Sequence, residues 1–331
     1  MGPTCGKIYV WVWSRKPTFL LKIKDDMNTE IISRLIQGKS LDSLGLGMKD
    51  GRLDLSGLIA PEPAARKAVS TEIADVSEME VLVIKGVTWK GLDFSGSRLN
   101  GLRFFDCEIS DCVFDKCSCQ DWRLWTTTVS ETSIRSADLR KSALGGVQDG
   151  RRNTFRKVEF INADLRQTSY VAAEFVGCTF KDTRLDKADF QTSTFTECTF
   201  EGELREVLFH RRGFKGEAFP ANEMTNVDFS RAKLRWVEFR GLDLETVRFP
   251  EDDDHFIVDD YPRVLDRLLE RASGRDDVAS KRLTAVLLNK RKWVGAGQHR
   301  GVFNKSDLLE IVGEEGLRSV LEIIVQTHAA G

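Results

Sequence analysis

The sequence predicts an all-β solenoid core with a small N-terminal α/β domain and a C-terminal helical domain. Three observations lead to this fold class. Apolar residues recur at every fifth position in the middle of the chain, small residues recur two positions before them, and both patterns stop towards the ends. Of the 331 residues, 20 are Phe and only 3 are Tyr, so most rings lack a polar group and suit interior packing.

The five-residue period extends over residues 94–144, 155–200 and 204–249, in three runs of 11, 10 and 10 positions. Every one of these positions is apolar, and they hold 16 of the 20 Phe. In a chain that is 41% hydrophobic, agreement at all positions by chance has a probability on the order of 10⁻¹². The period is therefore a structural signal, and the Phe excess belongs to it.

A period of five fits neither the 3.6-residue helix nor the two-residue strand. A large and a small residue two positions apart share one side of an extended segment, as in Ala163-Asp164-Leu165. A corner must then follow before the next large residue. Four such sides give a square coil of about twenty residues, and successive coils stack at about 4.8 Å.

Residues 84–250 resemble the pentapeptide-repeat family, whose members repeat A-(D/N)-L-x-x in tandem, as in Ala137-Asp138-Leu139 and Ala188-Asp189-Phe190. The resemblance implies a right-handed quadrilateral β-helix. It also implies a non-enzymatic protein-binding scaffold, because some members resemble B-form DNA in width and shape and protect DNA gyrase from inhibitors and toxins. A DNA topoisomerase is therefore the expected protein partner, with a role in antibiotic resistance. Such mimics are usually acidic, whereas residues 91–250 carry a net charge of about −1.

Two interruptions of the repeat predict loops near residues 145–154 and 210–223. The first contains three Gly within six residues. In the second, Arg212 and Glu217 stand where small inward residues are expected, and burying either charge unpaired would cost several kcal/mol. These loops are either tolerated insertions or partner contacts. The candidate contact residues are the basic ones, namely Arg151, Arg152, Arg211, Arg212 and Lys215.

Residues 1–83 do not repeat and are predicted to form an α/β capping domain. Residues 7–14 alternate as a strand, and residues 18–24 follow as the second strand of a hairpin. Asn28 or Thr29 is predicted to cap a helix that runs to about Gln37. The domain would cover the open end of the solenoid, where backbone groups are otherwise unpaired.

Residues 251–331 are predicted to form an acidic linker followed by three or four helices. The acidic cluster at 251–254 could hold a cation, but it lacks the EF-hand spacing and is interpreted as a solvated linker. The last helix packs in this bundle or presents its apolar stripe to a second copy, which would give a homodimer.

A basic patch in this region has two interpretations, as a nucleic-acid site or as a solvated helix end. Its residues are Lys281, Arg282, Lys290, Arg291, Lys292 and Trp293. The first interpretation gives an alternative function, in which the terminal domains act as an effector or bind nucleic acid and the β-helix is a rigid spacer.

We expect no catalytic residues, cofactor or metal. The 4 His lie far apart, and Cys107, Cys112, Cys117, Cys178 and Cys198 follow the spacing of the repeat, which favours burial over metal binding. No stretch of 18 apolar residues predicts a membrane span. The N-terminus resembles neither a signal peptide nor a myristoylation site, so a cytoplasmic location is expected.

Overall fold

The computed structural model describes residues 26–61, 82–211, 223–295 and 297–329. The predicted strand at 7–14 and hairpin at 18–24 lie outside these ranges. The predicted first helix is present as α1 (Asp26–Gln37), which is followed by a 3₁₀ turn at Asp42–Leu44. Its Ile31 and Leu35 are buried, and the Leu35 carbonyl accepts a hydrogen bond from Nε1 of Trp89 at 3.2 Å.

Most strands of the repeat region are three residues long. They are β1 (Met48–Lys49), β2 (Arg52–Asp54), β3 (Val83–Lys85), β4 (Thr88–Lys90), β5 (Leu92–Asp93), β6 (Arg103–Phe105), β7 (Glu108–Ser110), β8 (Arg123–Trp125), β9 (Thr128–Ser130), β10 (Ser133–Arg135), β11 (Val147–Gln148), β12 (Arg151–Arg152), β13 (Thr154–Arg156), β14 (Glu159–Ile161), β15 (Glu174–Val176), β16 (Thr179–Lys181), β17 (Asp189–Gln191), β18 (Thr194–Thr196), β19 (Thr199–Arg205), β20 (Leu208–His210), β21 (Met224–Thr225), β22 (Asp228–Arg235) and β23 (Glu238–Arg240).

Apart from the antiparallel pairs β1–β2 and β11–β12, these strands stack in parallel, and each ordinary partner lies twenty residues further along the chain. We call each such repeat a rung and the stack of rungs the coil. The longest sheet has the order β21-β18-β15-β13-β9-β7-β4, and a second has the order β10-β14-β16-β19-β22. Shorter sheets are β3-β6-β8, β17-β20-β23 and β1-β2-β5. Backbone hydrogen bonds therefore run along the coil, from one rung to the next.

A left-handed corner residue explains the period of five. Within the rungs a positive φ recurs at five-residue intervals, for example at Asp106, Asp111, Lys116 and Asp121. Each such residue turns the chain, so that the next three-residue segment lies on a new sheet. The central residue of each segment is then buried, while its two neighbours are turned towards the surface.

The predicted Phe columns are confirmed. The rings of Phe155, Phe175 and Phe195 stack at 5.0 and 5.1 Å between centroids. Those of Phe160, Phe180 and Phe200 stack at 4.9 and 4.7 Å. All six side chains are at most 2% exposed. The core of the coil is therefore a set of stacked rings whose spacing is fixed by the hydrogen-bonded sheets around them.

The two interruptions of the repeat differ in structure. At the first, β11 and β12 form an antiparallel hairpin, and Phe155 pairs with Val129, so this rung is six residues longer than an ordinary one. At the second, Phe195 pairs with Met224, and Phe190 pairs with Phe209. Met224 therefore takes the position that follows Phe209 on the coil. Phe214 and Phe219 lie outside the described ranges.

Pairing begins earlier than residue 84. Leu53 of β2 pairs in parallel with Leu92, and Ile59 forms a bridge with Arg98. One continuous apolar core reaches from Ile31 of α1 to Phe249 at the other end of the coil. Residues 52–60 thus provide pairing for the first rung.

The C-terminal part contains β24 (His255–Val258), α2 (Tyr261–Ser273), α3 (Val278–Trp293), β25 (Gly301–Asn304) and α4 (Lys305–Ala329). Asp260 and Asp277 cap α2 and α3 with their side chains. Gly313, with φ of 68°, kinks α4. These helices enclose a second apolar core, which includes Leu317, Val320 and Ile324 of α4.

Candidate partner-binding surface

The outward positions of the coil are mostly hydrophilic. On the longest sheet, one outward column passes from rung to rung through hydroxyl and carboxylate side chains, which are Thr88, Glu108, Thr128, Thr154, Glu174 and Thr194. These residues suit a pleated surface in contact with water. An apolar side chain or an unpaired basic side chain at an outward position therefore differs from this pattern and is a candidate for contact with a partner.

Several carboxylates on the outer surface are paired with arginines. Asp164 contacts the guanidinium groups of Arg166 at 2.7 Å, Arg184 at 3.5 Å and Arg140 at 3.8 Å. Partial burial raises the pKa of Asp164, but hydrogen bonds from Arg166 outweigh this and hold the pKa below its usual value. The surface around Asp164 is a network of alternating charge, unlike a continuous acidic stripe.

The hairpin β11–β12 is docked on the coil through Arg151. Its Nη2 lies 2.7 Å from Oδ1 of Asp106, which also accepts a hydrogen bond from Thr126 at 2.7 Å. These two hydrogen bonds lower the pKa of Asp106. The side chain of Arg151 is still 62% exposed, so its guanidinium is both fixed and accessible.

Asn153 fixes the base of the hairpin from inside the coil. Its side chain is buried, accepts a hydrogen bond from the Thr127 amide at 3.0 Å, and donates to the carbonyls of Leu124 at 2.8 Å and Leu144 at 3.0 Å. Arg152 turns inwards beside Glu174, with 3.6 Å between Nη2 and Oε1, and its buried Nη1 has no hydrogen-bond partner among the described residues. Arg151 is thus the exposed cation of this hairpin, and Arg152 packs against the coil.

The second basic loop lies elsewhere on the coil. The amide of Arg211 donates to the Arg240 carbonyl at 3.1 Å, which places Arg211 near the C-terminal end. Arg151 instead contacts residue 106, towards the N-terminal end. Arg212 and Lys215 lie outside the described ranges. The structure therefore does not bring Arg151 and Arg211 into one site.

The residues of the predicted basic patch on α3 do not form one exposed surface. Lys281 pairs with Asp276 at 3.2 Å and Arg291 with Asp266 at 2.7 Å. Lys281, Arg282 and Lys292 are exposed, whereas Lys290 is half-buried and lines a cavity of about 310 Å³ between the coil end and the helices. Three cations on α3 thus face solvent.

Trp293 joins α3 to the coil. The guanidinium of Arg240 lies 5.0 Å from its ring centroid, and the ring of His210 packs edge-on at 4.9 Å. Lys292 lies 5.1 Å from the same ring. Because β20 and β23 supply two of these neighbours, the indole acts as an anchor between the two cores.

Side chains of the C-terminal part close the last rung of the coil. The Leu234 amide donates to Nε2 of His255 at 3.1 Å, and the Trp236 amide donates to Oδ2 of Asp307 at 2.6 Å. Nη1 of Arg300 donates to the carbonyls of Leu244, Glu245 and Val247 at 3.0 to 3.2 Å. Sequence reasoning missed these contacts, since they depend on how a non-repeating segment returns to the coil.

An outer aromatic pair, Phe105 and Trp125, is the second feature that sequence reasoning missed. The two half-buried rings stack with 4.3 Å between centroids and 1° between planes, on the outward side of β6 and β8. The inward neighbours Phe104 and Leu124 fill the core instead. The signal was available, because Phe105 is one of the four Phe outside the five-residue register and Trp125 follows it by twenty residues.

The described cysteines are buried thiols. These are Cys107, Cys112, Cys117, Cys119, Cys178 and Cys198. Burial raises the pKa of Cys112 to about 12. Within the described ranges, no three His, Cys, Asp or Glu side chains come together as a potential metal site. None of the helices in these ranges has the length and apolar character needed to cross a membrane.

Comparison with known proteins identifies the repeat. Residues 173–202 match the family model that is described as "Pentapeptide repeats (8 copies)". No curated protein shows significant similarity to the chain.

Three solved structures illustrate the structural similarity. QnrB1, described as a plasmid-mediated fluoroquinolone resistance protein, is 17% identical with a TM-score of 0.26, over 51% of this chain and 84% of QnrB1. HetL, a pentapeptide repeat protein of the cyanobacterium Nostoc involved in heterocyst differentiation regulation, is 15% identical with a TM-score of 0.27, over 67% and 92%. Rfr23 of the cyanobacterium Cyanothece is 12% identical with a TM-score of 0.21, over 36% and 88%.

Proposed function

We propose that this chain, a pentapeptide-repeat protein, is a non-enzymatic protein-binding scaffold that interacts with DNA gyrase and modulates it or protects it against inhibitors or toxins. The observation that carries the proposal is the docked hairpin. Arg151 is exposed, yet its guanidinium is held at 2.7 Å from Asp106 of the coil. A cation fixed on a rigid support loses little conformational entropy when a partner binds it.

The proposed architecture is a closed right-handed quadrilateral β-helix. Parallel pairing at twenty residues and a left-handed corner at every fifth residue support it. We propose a capping domain at 1–83, the β-helix at 84–250 and the linker with helical domain at 251–331, with residues 52–60 of the first part pairing with the first rung. In this arrangement, the flat sheets of the coil and the hairpin β11–β12 are the surfaces available for binding a partner.

Recognition by this coil would depend on shape and local contacts. The chain has a formal net charge of −2, and outward carboxylates such as Asp164 are surrounded by arginines. A DNA-like acidic surface is therefore not part of the proposal. We also place the protein in the cytoplasm, because six buried free thiols fit a reducing compartment.

A supercoiling assay with purified gyrase tests the proposal. The protein should change the supercoiling activity, or the sensitivity of the enzyme to an inhibitor, in a dose-dependent way. Arg151→Ala should weaken this effect, whereas Arg156→Ala is the matched control. Arg156 is also an exposed arginine of the coil, paired with Glu174 at 3.1 Å. An unchanged activity and an unchanged drug sensitivity would reject the gyrase interaction.

The alternative is a nucleic-acid-associated protein in which the terminal domains act and the coil is a spacer. The exposed Lys281, Arg282 and Lys292 on α3 favour it. Trp293 does not add a stacking platform there, because Arg240 and His210 pack against its ring. Salt-sensitive binding of duplex DNA, abolished when the three cations are replaced by Ala, would support this alternative.

We do not extend the proposal to a homodimer through the C-terminal helices. The apolar stripe of α4 is buried in its own bundle at Leu317, Val320 and Ile324. Val325 is 61% exposed, but a single exposed aliphatic residue is ordinary for a protein surface.

A further inference from the structure

We infer that the outer aromatic pair and the cations around it form a docking site for an extended segment of a protein partner that carries aromatic and acidic side chains. This inference rests on the proposed scaffold function and names the surface that would serve it. The site consists of Phe105 and Trp125 with the accessible cations Lys85, Arg123 and Arg151 around them, whereas the neighbouring Arg103 is buried.

The two rings are not needed by the interior of the coil. Phe104 and Leu124 already fill the central positions of β6 and β8 and are at most 2% exposed. The equivalent third positions on the longest sheet hold mostly hydrophilic residues, such as Ser110, Ser130 and Thr196. Covering the exposed surface of a Phe or Trp ring would add favourable apolar contacts. Aromatic residues are accordingly enriched at the centres of protein interfaces.

The ring geometry favours a polypeptide over a single-stranded nucleic acid. Because the rings of Phe105 and Trp125 lie parallel at 4.3 Å, each covers one face of the other. A base could not enter between them, so they do not offer the succession of free faces on which neighbouring bases stack. They present edges and an apolar strip that side chains of an extended segment can cover.

The column of outward residues ends in a glycine next to Trp125. Ala143 pairs with Arg123, which places Gly145 in register with Trp125 on the following rung. A Cβ at Gly145 would lie 2.2 Å from the carbonyl carbon of Tyr170 and 2.4 Å from the Val171 amide nitrogen, so only glycine fits. Gly145 therefore adds no side chain to the outward column next to Trp125.

Among the residues that the structure describes, the cations around the rings outnumber the carboxylates that pair with them. Arg103 and Arg123 both contact Asp121, each at 2.7 Å. Arg151 contacts Asp106 at 2.7 Å, and Lys85 lies close enough to contribute to the lowered pKa of that carboxyl. Among the described residues, the accessible Lys85, Arg123 and Arg151 thus lie beside two carboxylates, and one of these, Asp121, is also bound by the buried Arg103. Acidic side chains on the partner would complete these pairs, which gives the charge that complements the site.

Peptide binding to the full chain tests this site. Fluorescence anisotropy would compare three labelled probes: a short peptide alternating Glu and Phe, one alternating Lys and Phe, and a short oligo-dT. We expect the Glu/Phe peptide to bind more tightly than the other two. Trp125→Thr should weaken its binding by about tenfold or more, as for an interface hot spot, while Trp125→Phe should retain most of it.

The matched control is Val176→Thr, which changes a half-buried outward aliphatic residue on the longest sheet. It should bind the Glu/Phe peptide like the unaltered chain, and circular dichroism should show that all variants are folded. Equal binding by Trp125→Thr, a preference for the Lys/Phe peptide, or a preference for oligo-dT would each overturn the site.

The gyrase assay separates this inference from the proposed function. If the unaltered chain modulates gyrase and Trp125→Thr does so equally well, the docking site is wrong and the gyrase proposal stands. If the unaltered chain does not affect gyrase, the gyrase proposal fails, and the peptide measurement alone decides whether the docking site exists.

Discussion

The side chain of Gln298 completes the backbone pairing of Gly241 at the end of the coil. Its Oε1 accepts from the Gly241 amide at 2.7 Å, and its Nε2 donates to the Phe239 carbonyl at 2.9 Å. One side-chain amide thus replaces a peptide group of the missing next rung. At the other end Asn28 of α1 does the same, donating to the Ile59 carbonyl at 2.8 Å and accepting from the Ile59 amide at 3.3 Å. Both ends are protected from edge-to-edge pairing by these contacts.

Replacing Gln298 with Ala should destabilise the coil end. The side chain is 1% exposed, so the variant would leave a donor and an acceptor without partners, at about 1–3 kcal/mol for each buried group. Urea unfolding would measure the loss. Gln326→Ala, at an exposed position of α4, should change the free energy of unfolding by less than about 0.5 kcal/mol. Equal stability of the two variants would show that Gln298 does not close the coil.

Replacing Phe175 with Ala should be far more damaging than replacing it with Leu. The ring is fully buried between Phe155 and Phe195, so the Ala variant removes contacts on both faces and should cost about 3–5 kcal/mol. The Leu variant keeps most of the volume and should cost less than about 2 kcal/mol. Chemical unfolding of both variants checks this. A loss below 1 kcal/mol for Ala would contradict the stacked core.

The interior of the coil could be predicted because one rule repeats. Every five-residue segment needs a large residue such as Phe175 at its centre and a small one such as Ala173 two positions earlier. This pattern recurs many times in the sequence. The rule fails where the chain leaves the coil. The five-residue spacing continues through residues 204–249, yet Phe195 pairs with Met224 and not with a residue about twenty positions further along the chain. Spacing alone cannot tell a rung from an insertion whose length is a multiple of the period.

The surface was harder to predict than the interior. The basic character of its loop predicts Arg151 as a contact residue, but its docking on Asp106 joins residues 45 positions apart. The outer aromatic pair also joins positions that are distant in the sequence. Because its two members differ in residue type, comparison of identical residues between repeats does not reveal the pair. The end contacts of Gln298 and His255 depend on the path of a non-repeating segment. Only the folded chain brings these groups together.

Acid should loosen the hairpin through Asp106. Hydrogen bonds from Thr126 and Arg151 hold the pKa of this carboxyl below its value of 3.8 in an unfolded chain. The stabilisation is therefore present above that value and is lost as the pH falls through the lower pKa of the folded state. An NMR titration of Asp106 should give a pKa below 3.8 that rises towards it in Arg151→Ala. An unchanged pKa in that variant would mean that the ion pair does not form.

The buried thiols should be unreactive in the folded protein. All six described thiols are buried, so a reagent cannot reach their sulfur atoms, and burial also raises the pKa of Cys112 to about 12, which suppresses its reactive thiolate form. In a Cys5→Ser variant, which leaves the six buried cysteines, a thiol reagent such as Ellman's reagent should react slowly at pH 8. It should react rapidly after unfolding in denaturant. Fast reaction of the native variant would show that the coil opens far more readily than its packing implies.

Equilibrium binding of the purified chain to purified DNA gyrase tests the central claim most directly. Biolayer interferometry would follow the unaltered chain, Arg151→Ala, Trp125→Thr and the control Arg156→Ala. We predict saturable binding of the unaltered chain and the control, and weaker binding of the two variants that alter the docked hairpin and the outer aromatic pair. Absence of saturable binding, or equal binding by all four proteins, would contradict a gyrase-binding scaffold that acts through this surface.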